Sequence, residues 1–183
     1  MVSAEWPFPH RKITKRLAEG DVALTTEAKG SALEDVVNWT FCSLPGLRVL
    51  KHDFTDAAGS SEIDLLLMND RRFTPVPFLS DYVLVECKNW ATRVDSATVR
   101  DFIGKLQSFH LDVGILVAAN GVTGDAADQT AANDTIRQAF DRDAMKIIVI
   151  KRPDLEAFRS QGQIVQFLQE RFGEVILRSF SIA

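Results

Sequence analysis

Two cysteines, Cys42 and Cys87, stand far apart in a chain of 183 residues, too few for a disulfide framework or a thiolate zinc site. Long apolar runs are missing as well. The longest clean one, Val113 to Ala119, is closed by Asp112 and Asn120 and falls far short of the ~20 residues that span a bilayer. The segment Met1 to His10 lacks the basic start and apolar centre of a secretory signal. With so little cysteine, a reducing cytoplasm is the expected location, with no membrane partner. Positive charge is also scarce: the net charge is −4, and basic residues gather only at Arg11, Lys12, Lys15 and Arg16 and at Arg71-Arg72, which read as solvated surface. That balance excludes a strongly basic nucleic-acid binder. The three histidines, His10, His52 and His110, show no ligand spacing and are expected to be surface or packing residues. Gly121-x-x-Gly124 lacks the Lys-Ser/Thr of a phosphate-cradling loop, and nothing supports a serine or cysteine triad. Repeats and low-complexity stretches are absent.

What remains is an ordinary folding composition, 46% hydrophobic and 25% charged. It gives an N-terminal leader over residues 1–28, irregular or partly helical, and a single domain over 29–183. Ser31-Ala32-Leu33-Glu34 reads as a capping box that opens a helix with Leu33, Val36, Val37, Phe41 and Leu44 on its buried face, ended by Pro45-Gly46. A strand follows over Leu47–Phe54, then a turn at Asp56–Gly59 and a second strand around Asp64. A long loop over Asn69–Ser80 leads to a third strand, Tyr82–Asn89. Beyond it come a helix at Ser96–Phe109, an apolar strand at Val113–Ala119 and a polar helix through Phe140. A strand at Lys146–Lys151 and short helices at Asp154–Phe158 and Ile164–Phe172 close the chain. The order, helix, three-stranded meander, helix, strand, helix, strand, predicts an α/β domain with a mixed sheet flanked by helices.

Three polar residues interrupt these apolar strands. Asp64 lies in Ser61-Glu62-Ile63-Asp64-Leu65-Leu66-Leu67, and Glu86 and Lys88 lie in Tyr82-Val83-Leu84-Val85-Glu86-Cys87-Lys88-Asn89-Trp90. Alternation projects Glu86 and Lys88 from one face, with Val85 and Cys87 on the other. A hairpin can bring Asp64 beside Glu86, and two charges about 4 Å apart repel by roughly 4 kcal/mol at an effective dielectric of 20. Such a pair calls for a proton or a cation. Two carboxylates with an ammonium beside them suit Mg²⁺ or Mn²⁺, with Lys88 facing a water and the Cys87 backbone carbonyl as an added oxygen ligand. The alternatives are an edge-strand carboxylate at 64 and a surface ion pair between Glu86 and Lys88.

A helix carrying Glu34, a strand bearing Asp64 and a following Glu86-Cys87-Lys88 strand resemble the PD-(D/E)xK nuclease superfamily. The run Glu86-Cys87-Lys88-Asn89-Trp90, with Val94 and an amphipathic helix behind it, is most similar to the Mrr-like restriction endonuclease branch over about residues 30–155. Ile63 stands where the family often has glycine, and the 69–80 loop is longer than the shortest versions. The resemblance implies a restriction-endonuclease-like fold and metal-dependent hydrolysis of DNA by Asp64, Glu86 and Lys88. It gives Glu34 an outer role at metal water or a second ion, and makes Lys105 or Gln107 a candidate phosphate contact. It further implies work in antiviral defence or DNA processing, with a homodimer or an activating partner protein supplying specificity. The rivals are a junction-resolving nuclease and a catalytically silent subunit that keeps the fold and binds DNA or a partner.

Overall fold

The computed structural model describes residues 8–55, 62–124 and 132–178. Strands form where apolar residues alternate or run together. β1 (Leu47–Thr55) buries only Leu47 and is largely exposed, whereas β2 (Glu62–Asn69) alternates: Ile63, Leu65 and Leu67 are buried, and Asp64, Leu66 and Met68 are half-buried. β3 (Tyr82–Lys88), β4 (Val113–Ala118) and β5 (Lys146–Ile150) are apolar on both faces, and every residue of β4 is buried. The sheet order is β1-β2-β3-β4-β5. The first three strands form an antiparallel meander, and β4 and β5 run parallel to β3. The turn expected at 56–59 lies outside the described residues.

Helices cover both faces. α1 (His10–Asp21), α2 (Thr26–Cys42), α5 (Arg152–Ala157) and α6 (Gln161–Arg178) share one core with the sheet, built from Ile13, Leu33, Phe41, Leu65, Val85, Ile115, Leu155 and Leu168. α3 (Ser96–Ser108) and α4 (Ala132–Asp143) cover the other, where Val99, Phe102, Leu106 and Ile136 meet Leu84, Leu116 and Ile147. Gly114 sets the approach of α3: a Cβ there would lie 2.7 Å from the Phe102 ring. The segment 1–28 contributes Ile13 and Leu17 to the first core, and Arg16 and Asp35 pair at 2.8 Å across α1 and α2.

Two elements differ from the sequence reading. The second helix starts at Thr26, not after Ser31; the Thr25 hydroxyl accepts the Ala28 N–H and caps it there. Ser31 and Glu34 therefore sit inside the helix, and Glu34 has no capping duty. The last helix runs to Arg178 instead of ending near Phe172. Open space around Gly173 lets the helix pass through it, and burial of Val175 offsets the cost of about 1 kcal/mol that glycine brings. The long loop before β3 is tied down by Asn69, whose buried carboxamide donates to the carbonyls of Val76 and Leu79.

Candidate active site

The β2–β3 ladder runs from Met68 opposite Tyr82 to Leu65 opposite Val85 and stops. One step further, where Asp64 would face Glu86, the Cys87 N–H donates 2.6 Å to the Asp64 carboxylate instead of to a backbone carbonyl. The strands part at that point. Ile63 packs in the α3-side core and Leu65 in the opposite one, although a flat strand would put both on one face. β2 therefore rolls over at Asp64. β1 bends with it: Asp53, between the pairs His52–Leu65 and Phe54–Ile63, takes a positive φ of 45°, a conformation that aspartate tolerates better than most residues.

β3 aims its polar residues into this fork. Glu86 and Lys88 follow Leu84 on the α3 side, and Cys87 follows Val85 into the other core, where burial pushes its thiol pKa up. Glu86 is only 3% exposed. Such a carboxylate needs partners, and it has two. Lys88 Nζ donates to Oε1 at 2.6 Å, and Lys105 Nζ, from α3, reaches both oxygens at 2.9 and 2.8 Å. Lys88 loses charge stabilisation to burial, but the charge and hydrogen bond of Glu86, with Asp64 behind, outweigh that and hold its pKa above the ordinary lysine value. The ammonium is thus an acid and a positioned charge, not a free base.

Asp64 is raised to about 6, first by burial and then by the charge of Glu86; the Cys87 N–H and the two lysines pull the other way. Glu34, released from capping, faces the same region from α2. Its pKa is raised to about 7 by burial, then by the charges of Asp53 and Asp64. Asn89 fixes that helix against the end of β3 by donating to the Lys29 carbonyl at 2.7 Å. His52 completes the group, with Nδ1 2.9 Å from Asp53 and Nε2 3.5 Å from Glu34. Ligand atoms of Glu34, His52 and Asp53 all lie within 4.8 Å of one another.

The structure thus brings together Asp64, Glu86, Lys88, Lys105 and, along the rim, Glu34. It does not bring Gln107 to them; that side chain is exposed and donates to Asp143 of α4 at 3.3 Å. His52 and Asp53 were not among the sequence candidates. The clue was the hairpin register, which sets residue 53 against residue 64.

The donor set fits a hard divalent cation. Burial first, and then neighbouring carboxylates, lift Asp64 and Glu34 well above their ordinary range, and a cation among these oxygens would offset both. Glu86 is held by two ammonium groups, so a cation taken there would compete with a lysine for a carboxylate oxygen. Among the described residues, no helix is long and apolar enough to cross a membrane.

A family model described as restriction endonuclease, of the Mrr catalytic type, matches residues 27–157, more than two thirds of the chain. No curated protein and no solved structure matches it.

Proposed function

The chain belongs to the Mrr-type restriction endonuclease family, and on that premise we propose that it cleaves phosphodiester bonds in DNA with Mg²⁺ or Mn²⁺. The observation that carries the reading is the strand fork. There the Asp64 carboxylate sits on the Cys87 amide, beside a buried Glu86 held by Lys88 and Lys105. Asp64 and Glu86 would hold the cation, with the Cys87 carbonyl as a further oxygen. When bound, that ion polarises the scissile phosphate and acidifies a water. Lys88 orients the water and offsets the charge that develops on the phosphate oxygens. Lys105 holds both oxygens of Glu86 and would be free to take a phosphate oxygen of the substrate if Glu86 turned to a cation. Glu34, with Asp53 and His52, borders the site on the α2 side and takes a metal-bound water or a second ion. Defence against foreign DNA or DNA processing in the cytoplasm is the setting this activity fits. A second copy of the chain or a partner protein would supply cut-site choice.

The direct test is supercoiled plasmid incubated with Mg²⁺ or Mn²⁺ and with EDTA, in parallel with linear, branched and RNA substrates. Nicking or degradation of DNA in the metal lanes alone is expected. Metal-independent cleavage, or cleavage of RNA alone, would contradict the reading.

The raised carboxyls also set a pH dependence. Asp64 near 6 and Glu34 near 7 bind protons in the folded state that the unfolded chain has already released. Folded metal-free protein therefore holds more protons than unfolded chain between about pH 4 and pH 7, and its stability falls as pH rises through that window. Carboxyls with depressed values, Asp21, Asp70, Asp95 and Asp112, act at the low end of that window and below it, and leave the fall above about pH 5 unopposed. In EDTA the urea midpoint is expected to drop between about pH 5.5 and about pH 7.5, and Glu34→Gln with Asp64→Asn is expected to flatten the change. A midpoint that rises over that range would refute the assigned charge crowding.

A further inference from the structure

We propose that a second pocket, along β5 beside the loop that follows β4, binds a nucleotide by its phosphate and its base. The cavity measures about 220 Å³ and lies between the 120–124 loop, α4, β5 and α6. That is room for several waters, and so for a small organic ligand. Its lining is mixed: Val122, Ile136, Ile147 and Val149 are apolar, and Arg93, Lys151 and Arg171 bring positive charge.

Arg171 pairs with Glu174 at 2.8 Å, but Arg93 and Lys151 make no ion pair among the described residues. The other acid in the wall, Asp154, accepts the Lys151 backbone N–H at 2.8 Å and caps α5. Two uncommitted cations in a cavity with apolar lining suit a ligand with an anionic end and a flat, weakly polar body. A nucleotide has both, and its base can lie on the branched side chains while its phosphate takes Arg93 and Lys151.

The pocket is also wired to the fork. The Ala119 N–H donates to the Lys88 carbonyl at 2.9 Å, and Asn120 donates to the Trp90 carbonyl at 2.6 Å. Val94 and Thr123 exchange further bonds across the same seam, with Val94 N–H to Gly121 and Thr123 N–H to Val94. The wall of the pocket is therefore fastened to the residues that directly follow Glu86 and Lys88. This part of the inference rests on the nuclease reading. The occupant is either the 5′-phosphorylated end of a strand or a free nucleotide.

The test measures binding in EDTA, so that it does not depend on hydrolysis. Fluorescence polarisation compares labelled single-stranded oligonucleotides with a 5′ phosphate and with a 5′ hydroxyl on the full chain. A preference of about 10-fold for the phosphate is expected. Arg93→Ala with Lys151→Ala is expected to remove it, and Arg11→Ala with Lys15→Ala, which deletes equal charge from α1, is expected to keep it. Competition by dAMP would support the pocket with a free nucleotide as occupant; a phosphate preference that dAMP does not disturb would support it with a strand end. Equal affinity for the two oligonucleotides, or a preference that survives in Arg93→Ala/Lys151→Ala, would overturn the inference. A phosphate preference without cleavage under any metal would leave the pocket standing and remove the nuclease reading. Cleavage without a preference would do the reverse.

Discussion

Asp64→Asn is expected to reduce DNA cleavage by at least about 10⁴-fold while making the metal-free protein more stable. The two effects share one cause. Asparagine keeps an oxygen to accept the Cys87 N–H, so the fork retains its 2.6 Å bond and its shape. It removes the charge that burial and Glu86 already hold at a pKa of about 6. Without that charge the crowding at Glu34 and Glu86 falls, and the folded state gains about 1–2 kcal/mol at neutral pH, a range lowered for the partial exposure of the site. What is lost is an oxygen ligand for the cation, and a 10⁴-fold loss corresponds to about 5.5 kcal/mol of transition-state stabilisation. Single-turnover cleavage and urea denaturation, run on the same preparation, read both. A destabilised, inactive variant would point to a structural carboxylate; an active one would remove Asp64 from the site.

The second large effect belongs to Lys88. Lys88→Met is expected to slow cleavage by about 10³-fold with metal binding retained, because the ammonium acts on the water and the phosphate and not on the ion. The fold survives, since Lys105 still contacts both oxygens of Glu86. Lys105→Met is expected to be milder, about 10-fold, because Lys88 remains on Glu86 at 2.6 Å and the chemical step keeps its cation. Removing both leaves a carboxylate that is 3% exposed with no positive partner, and the double variant is expected to lose about 3–5 kcal/mol of stability, far more than the two single changes together. Equal and additive losses from Lys88→Met and Lys105→Met would contradict this division of labour.

Much of the fold was legible because its signals are local. Val113–Ala118 and Lys146–Ile150 are short apolar runs bounded by polar residues, and they became the two parallel strands. Asp64, Glu86 and Lys88 stood out as polar interruptions of such runs. The misplaced start of α2 has a local cause too: Thr25 and Ser31 can each cap a helix, and the apolar face of Ala32, Leu33 and Val36 does not show which one does. Glu34 looked occupied for that reason alone. Lys105 and Gln107 were paired as candidates, yet residues two apart on a helix point about 200° from each other, so only one could reach the sheet. That one is Lys105. His52 and Asp53 escaped notice because their place beside Asp64 depends on the register of β1 on β2 and on a positive φ at Asp53, neither of which is written in residue type.

The central claim is that the carboxylates at 64 and 86 share one divalent ion. Calorimetric titration of Mn²⁺ into the metal-free full chain, repeated at about pH 6.5 in two buffers of different ionisation enthalpy, tests it most directly. Saturable binding with release of about one proton is expected for the parent, with loss of that binding in Asp64→Asn and in Glu86→Gln. Binding of equal strength in the parent and both variants, or no binding by the parent, would contradict it.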